Sequence, residues 1–352
     1  MTVPSTPEQN DADHPSPRSI NAGKSNPTIY DIARAAGVNP STVSRALSNP
    51  GRVSATTRKL VEDAANQLNY HVNSFARALH TGSTNTIGLI VADITNPTFF
   101  DVIRGAETTT SGRDYTLVLA DSSESALTEL TAARRMMATV DGLILASPRM
   151  EDEDIRAMAS DKPVVVINRE VSGVSCVIPD ANKGISQAVR SLAANGHKKL
   201  AFVAGPPQSW MSARRWHGVE AACEWSRLEA LRLESAKPTV DGGRQMARAV
   251  LASGATAVLT YNDLLAIGLM QELQAAGVPV PDHLSIVGFD DIFGADFTSP
   301  PLTTVRSPLR ECGALAAERM LDRLNGIPEV IGTIHAETEL VLRGSSGRLL
   351  TI

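Results

Sequence analysis

From Thr86 onward the chain repeats one pattern: a short, almost unbroken apolar run, then a stretch with helical spacing. The runs are IGLIVAD, YTLVLAD, DGLILAS, PVVVIN, SCVIPD, KLAFVAG, TAVLTYND and LSIVGFDD. Between most of them lie segments such as FFDVIRGAETTTSGR and NKGISQAVRSLAANG, whose apolar positions recur every three to four residues. Strands apolar on both faces must be covered on both, so this alternation predicts parallel sheets sandwiched by helices. At 352 residues the chain exceeds one small domain, and the runs fit two doubly wound lobes with a boundary near Asp180. Late strands at 303–306 and 337–342 are available to cross back between them. Lobe 1 is expected over about 86–180 plus 303–330, lobe 2 over about 181–302 plus 331–345, with 346–352 a tail.

Ahead of this body the texture differs. Residues 1–27 are rich in Pro, Ser, Asn and Asp and predict a disordered tail without the apolar centre of a signal peptide. Residues 28–82 carry six Arg or Lys against three acids, a net of +3, whereas the whole chain is −5. The remainder therefore carries −8, and a small basic module on an acidic body points to an acidic partner. No apolar run approaches the roughly 18 residues of a membrane span. Cys176, Cys223 and Cys312 are far apart and form no metal spacing, as expected of buried reduced thiols in a cytoplasmic protein.

The basic module reads as helices. Thr28 caps a helix over 29–36 that Gly37 stops, and Asn39 caps a second with Pro40 in its first turn. In the second, Val43, Ala46 and Leu47 share an inward face, leaving Ser41, Thr42, Ser44 and Arg45 on or near the opposite one. A third helix starts at Ser54 and runs to Tyr70, and NSFARALHTG forms a last short segment. Two short helices joined by AAGVNP form a helix-turn-helix. The polar face of its second helix can bond phosphates and base edges, with Arg45 suited to a bidentate contact with guanine.

The stretch TIYDIARAAGVNPSTVSRALSNPGRVSATTRKLVEDAANQLNYHVNSFARALHTG closely resembles the DNA-binding headpiece of the LacI/GalR family of bacterial transcription regulators. IGLIVADITNPTFFDVIRG, DGLILAS, VVVINRE, YNDLLAIG, SIVGFDD and SPPLTTVR resemble that family's effector-binding core, so the likeness covers about 28–343. It implies an all-α helix-turn-helix headpiece at 28–72, a hinge helix and linker at 73–85, and an α/β core of two doubly wound lobes at 86–345, periplasmic-binding-protein-like. By resemblance Pro40, Ser41 and Arg45 read bases. Thr28, Tyr30, Thr42, Asn49, Ser54, Thr57 and Tyr70 touch phosphates. Leu79 is a minor-groove wedge with Asn73, Ala76 and His80 on the same hinge helix. Small residues at Pro40 and Ser41 shift the burden of readout to Arg45 and the hinge.

In the core, Asn96, Phe99 and Phe100 follow the first strand, Asn168 the fourth, and Asp180 lies at the lobe junction. Trp210 follows the sixth. The resemblance places Arg215, Asn262 and Asp290 on effector positions. A carboxylate, a guanidinium and aromatic faces suit a sugar, polyol or nucleoside. Asp263 and Asp291 are expected as helix caps, and His197, His217 and His283 as surface residues. The family's frequent Asp-Asn pair at the junction is Asp180–Ala181 here, which removes one polar contact.

These readings combine as a dimeric repressor on a pseudo-palindromic operator, with double-stranded DNA, a small-molecule effector and a second copy as partners and dimer contacts around 100–110. No cofactor is expected. An enzyme would need a GxxxxGK[ST], GxGxxG or GxSxG motif or a His/Cys cluster, and none occurs. A transport solute-binding protein would have no use for residues 28–82. A global regulator controlled by a phosphorylated partner protein remains as the rival within the family.

Overall fold

The computed structural model describes residues 27–48, 50–70, 82–234, 237–328 and 331–349. The chain forms two compact units that part between Thr81 and Gly82. The expected hinge segment, with Asn73, Ala76, Leu79 and His80, lies outside the described residues, as does Asn49.

The first unit contains α1 (Ile29–Ala36), α2 (Pro40–Ser48) and α3 (Ala55–Gln67). Asp31 closes the start of α1 by accepting the Thr28 amide at 2.9 Å and hydroxyl at 2.7 Å. Those bonds hold its carboxyl below the usual range. Gly37 ends the helix at φ 65°, a left-handed conformation in which its amide reaches Ala33 O. The Asn39 carbonyl accepts the Thr42 and Val43 amides to begin α2. Ser54 caps α3 by accepting the Thr57 amide at 3.2 Å. Helix α3 stops at Gln67, short of the expected Tyr70, because Asn69 turns left-handed at φ 49°. Ile32, Ala33, Val43, Ala46, Val61, Ala64 and Ala65 make the core.

The second unit holds two six-stranded sheets. Lobe 1 orders its strands β11-β5-β4-β3-β1-β2, where β1 is Thr86–Val91, β2 Thr116–Asp121, β3 Gly142–Ala146, β4 Val164–Ile167, β5 Ser175–Asp180 and β11 Thr333–Glu337. Lobe 2 orders them β12-β10-β9-β8-β6-β7. Here β6 is Lys199–Ala204, β7 Glu229–Glu234, β8 Ala257–Thr260, β9 Ser285–Asp290, β10 Thr303–Arg306 and β12 Glu339–Val341. All pairings are parallel except β10 with β12. Each sheet starts one strand in from an edge and winds both ways, so the order reverses between β1 and β3 in one lobe and between β6 and β8 in the other. Such reversals leave a crevice at the carboxyl ends of the strands.

The helices that cover lobe 1 are α4 (Thr98–Ser111), α5 (Ala126–Met137), α6 (Asp152–Asp161) and α11 (Leu309–Leu324). Lobe 2 carries α7 (Ala181–Ala194), α8 (Trp210–Ser226), α9 (Val240–Ala252) and α10 (Asp263–Ala275). Helix α11 buries Leu309, Cys312, Ala316 and Met320 against Ile87, Leu89 and Val165 of lobe 1.

Three expectations need correction. Strand β10 belongs to lobe 2, since Thr303 pairs with Val287, and β11 belongs to lobe 1, since Thr333 pairs with Cys176. The crossings therefore fall at 180–181, between β10 and α11, and at Thr338. A strand's partner is set by non-local register, which its own apolar pattern does not encode. Strand β7 is not among the apolar runs of the sequence because it is an edge strand. Its sequence EALRLE mixes charges with apolar residues, and it is exposed or half-buried throughout. His197, expected at the surface, is fully buried. Its imidazole lies 2.9 Å from Thr256 Oγ1, 3.1 Å from Ser285 Oγ and 3.2 Å from Gly347 O, clamping the C-terminal segment to lobe 2.

Candidate functional site

In the first unit, Val43 and Ala46 hold α2 down while Ser41, Ser44 and Arg45 stay exposed. Arg45 Nε reaches back to Ser41 O at 3.3 Å, which lays the guanidinium along the helix start. Tyr30 is 69% exposed, and Thr28 and Ser54 are exposed too. A hydroxyl-rich helix face with one long cation and a neighbouring phenol presents phosphate-bonding and base-reading groups together.

In the second unit, the loops after β1, β2, β3 and β4 meet those after β6, β8 and β9 around one enclosed cavity. It is lined by Asn96, Thr98, Phe99, Glu124, Ser147, Arg149, Asn168, Met211, Arg215, Tyr261, Asn262 and Asp290. The lobes are drawn together across it, since the Thr98 hydroxyl of lobe 1 donates to Asp290 Oδ2 of lobe 2 at 3.2 Å. About 20 Å³ remains free, room for a water but not for a ring, so a ring-sized ligand enters only as the lobes part.

Arg215 and Asp290 dominate the lobe 2 side. Arg215 Nη2 donates to Asp290 Oδ1 at 2.7 Å, Nη1 donates to Tyr261 O, and the guanidinium lies 3.6 Å from the centre of the Phe289 ring. Arg215 Nε is buried without a partner, as is Asn168 Oδ1 on the facing lobe. A buried donor and a buried acceptor left unpaired are costly, and a ligand that meets both recovers that cost. Ser147, Asn168 and Asp290 all line this cavity at positive φ, 59°, 64° and 106°. Strained non-glycine backbone at functional positions persists only where the surroundings enforce it.

The structure brings Asn96, Phe99, Asn168, Arg215, Asn262 and Asp290 of the expected effector set into one cavity. Two of them have structural work. Asn262 caps α10 through the Leu265 amide at 3.0 Å and donates to Pro238 O at 2.9 Å, and Asn96 Oδ1 accepts the Thr98 amide at 3.1 Å. Phe100 is 47% exposed and does not line the cavity. Asp180 accepts the Asn182 amide as the cap of α7, and it shares with Trp210 a separate pocket at the lobe junction. Trp210 is covered by Arg214 at 5.6 Å rather than opened to the cavity. Asp263 and Asp291 are not caps. Asp263 is buried beneath the site, bonded to Thr304 and Ile292, while Asp291 pairs with Arg306 at 2.8 Å and Arg343 at 2.7 Å.

Thr98, Glu124, Ser147, Arg149, Met211 and Tyr261 escaped sequence reading. The signal was present for Glu124, Ser147 and Arg149, each one to three residues past a strand's carboxyl end, but their chemistry alone did not mark them.

Fold and site together define a two-lobed, cleft-bearing ligand-binding core on a chain that also carries a helix-turn-helix unit. Residues 28–73 match the family described as bacterial regulatory proteins, lacI family, and residues 189–346 match a periplasmic binding protein-like domain. A transcriptional repressor of Photobacterium profundum, PurR, is 32% identical over 90% of this chain and 98% of its own length. The crystal structure of the lac repressor dimer bound to operator and the anti-inducer ONPF superposes with a TM-score of 0.83 at 27% identity, over 92% of this chain and 100% of that one. A transcriptional regulator CelR–cellobiose complex superposes with a TM-score of 0.68 at 28% identity, over 91% and 99%. The chain belongs to the lacI family of bacterial regulatory proteins. It is a DNA-binding transcription regulator, not an enzyme. Among the described residues no helix is long and apolar enough to cross a membrane.

Proposed function

We propose that the chain represses transcription in the cytoplasm as a dimer on a pseudo-palindromic operator, and that a sugar, polyol or nucleoside bound between the lobes controls it. The observation that carries this reading is the cleft itself. It pairs Arg215 with Asp290 and leaves Arg215 Nε and Asn168 Oδ1 unpartnered on facing lobes. A hydroxyl both donates and accepts, so adjacent hydroxyls on one ring answer both groups and also bond Asp290. Phe99 supplies an apolar face beside them.

Control follows from differential binding. A ring that holds the lobes apart or draws them onto itself favours one lobe angle, and it shifts that equilibrium by no more than its affinity ratio for the two states. Dimerisation is supported by exposed apolar residues around the β2 edge of lobe 1. Ile94, Phe100, Val118 and Leu119 are 40–47% exposed there, and an uncovered apolar edge strand is a pairing surface. One structural neighbour is an operator-bound dimer and another a complex with cellobiose, which agrees with the reading. In the headpiece, Arg45 and Ser41 read base edges, Pro40 sets the start of the helix among them, and Thr28, Tyr30, Thr42, Ser54, Thr57 and Tyr70 contact the backbone phosphates.

The test is a thermal-shift screen of sugars, polyols and nucleosides on the purified chain, followed by gel shift of its operator with each hit. Bound ligand raises the melting point by mass action. If no compound does so, or if Asp290→Ala leaves the ligand-dependence of operator binding intact for a hit, the cleft is not the control site.

A further inference from the structure

We propose that Glu124 and Arg149 form the lobe 1 side of the ligand site and restrict it to uncharged, hydroxyl-bearing rings; this rests on the reading of the cleft above. Arg149 is only 8% exposed and reaches the cavity that Arg215 lines from the other lobe. Its Nε donates to Glu124 Oε2 at 2.7 Å and its Nη1 to Ser147 O at 2.9 Å.

The loop that presents Arg149 is braced from several directions. Glu129, 1% exposed, accepts the backbone amides of Arg149 at 2.6 Å and Met150 at 2.9 Å. Arg169 Nη1 donates to Met150 O at 2.7 Å, and Asn168 Nδ2 donates to Ser147 Oγ at 2.9 Å. Ser147 itself is held left-handed at φ 59°. A cation on so fixed a loop is preorganised for a partner in the cavity rather than left to find one.

Charge balance then sets the ligand class. The ionised groups lining the cavity are Arg149 and Arg215 against Glu124 and Asp290, one pair per lobe. A carboxylate or phosphate on the ligand adds a further negative charge beside the half-buried Glu124 and the buried Asp290, and it competes with each acid for the one guanidinium it has. A hydroxyl instead donates to Glu124 and accepts from Arg149 while the pair stays whole. A ring between the lobes meets a charged donor and a charged acceptor on each side.

Calorimetric titration of the full chain with matched probes tests this: ribose against ribose 5-phosphate, glucose against glucuronate, adenosine against its 5′-monophosphate. The wild type is expected to bind a neutral member and to discriminate against its charged counterpart. Glu124→Gln should weaken the neutral ligand about tenfold, the loss of one charge-assisted bond, and should admit the charged counterpart, because Arg149 loses its acid. Arg149→Gln should weaken the neutral ligand similarly without admitting the anion. Melting of the free variants reports that they fold. Equal affinity of the wild type for both members of a pair overturns the proposal, as does neutral-ligand binding that Asp290→Asn abolishes but Glu124→Gln leaves unchanged; the latter spares the cleft. Binding of no probe at all overturns the cleft reading and the pair's role with it.

Discussion

Arg215 Nη2 lies 2.7 Å from Asp290 Oδ1, and both side chains are 5% exposed. The two residues come from the helix after β6 and the end of β9, so the pair joins the carboxyl-end sides of the two strands that flank β8, at the floor of the cleft. Ser307 also donates to Asp290 Oδ1 at 3.3 Å. Desolvating two charges is expensive, and such a pair is weak evidence of stabilisation in itself. Its value lies in holding an acid and a guanidinium where a ligand can take either.

Removing one partner should therefore be costly. Asp290→Ala leaves the Arg215 guanidinium buried against Phe289 with no acid, and should destabilise the fold by about 3–5 kcal/mol. Urea unfolding of the variant against the wild type measures this. A change below about 1 kcal/mol would mean that water already compensates the pair.

Asp263 predicts a pH dependence. It is fully buried beneath the cleft, where Thr304 Oγ1 donates to its Oδ1 at 2.6 Å and the Ile292 amide to its Oδ2 at 2.8 Å. Burial, reinforced by the negative charges of Asp290 and Asp291 and opposed by the Thr304 bond, pushes its carboxyl up to about 8. The unfolded chain ionises this group near 3.8. Between those values the folded state binds more protons, so this contribution to stability is full below about 4, falls as pH rises toward 8, and is lost above it. Asp263→Asn should flatten the fall, on the order of 1 kcal/mol per pH unit, in melting curves taken from pH 5 to 8.

Gly105 and Gly313 predict a packing effect. A Cβ on Gly105 of α4 would stand 2.0 Å from Arg310 O, and one on Gly313 of α11 would stand 2.1 Å from Val102 O. The two helices touch through backbone on both sides, so neither residue can yield. Gly313→Ala should cost about 1–3 kcal/mol or more through forced separation of the helices. Denaturation of the variant checks it, and an unchanged midpoint would refute the contact.

Arg45→Ala should weaken binding to the cognate operator by about 1–3 kcal/mol and relax the preference at one base pair. Gel shift on operator variants decides it. Equal losses on cognate and scrambled DNA would make Arg45 a phosphate contact only.

The sequence determined local matters and the order of parts. Apolar runs such as IGLIVAD and DGLILAS became β1 and β3 because a strand buried on both faces must be apolar throughout. Thr28, Gly37 and Ser54 marked helix ends by requirements of a single turn. Arg215 and Asp290 were legible through resemblance, since Arg215 sits in the stretch GPPQSWMSARRWHG that follows β6 and Asp290 in the GFDD that ends β9.

Tertiary structure decided what depends on distant neighbours. Whether 303–306 and 333–337 belong to one lobe or the other is a matter of pairing with strands far away in the chain. Trp210 turned to Arg214 and the junction pocket because the first turn of α8 points it there, whereas Met211, one residue on, lines the cavity. His197, Asp263 and Arg149 look like surface polar residues in isolation. Each is buried because segments from elsewhere close over it, and that closure gives an ordinary side chain its unusual chemistry.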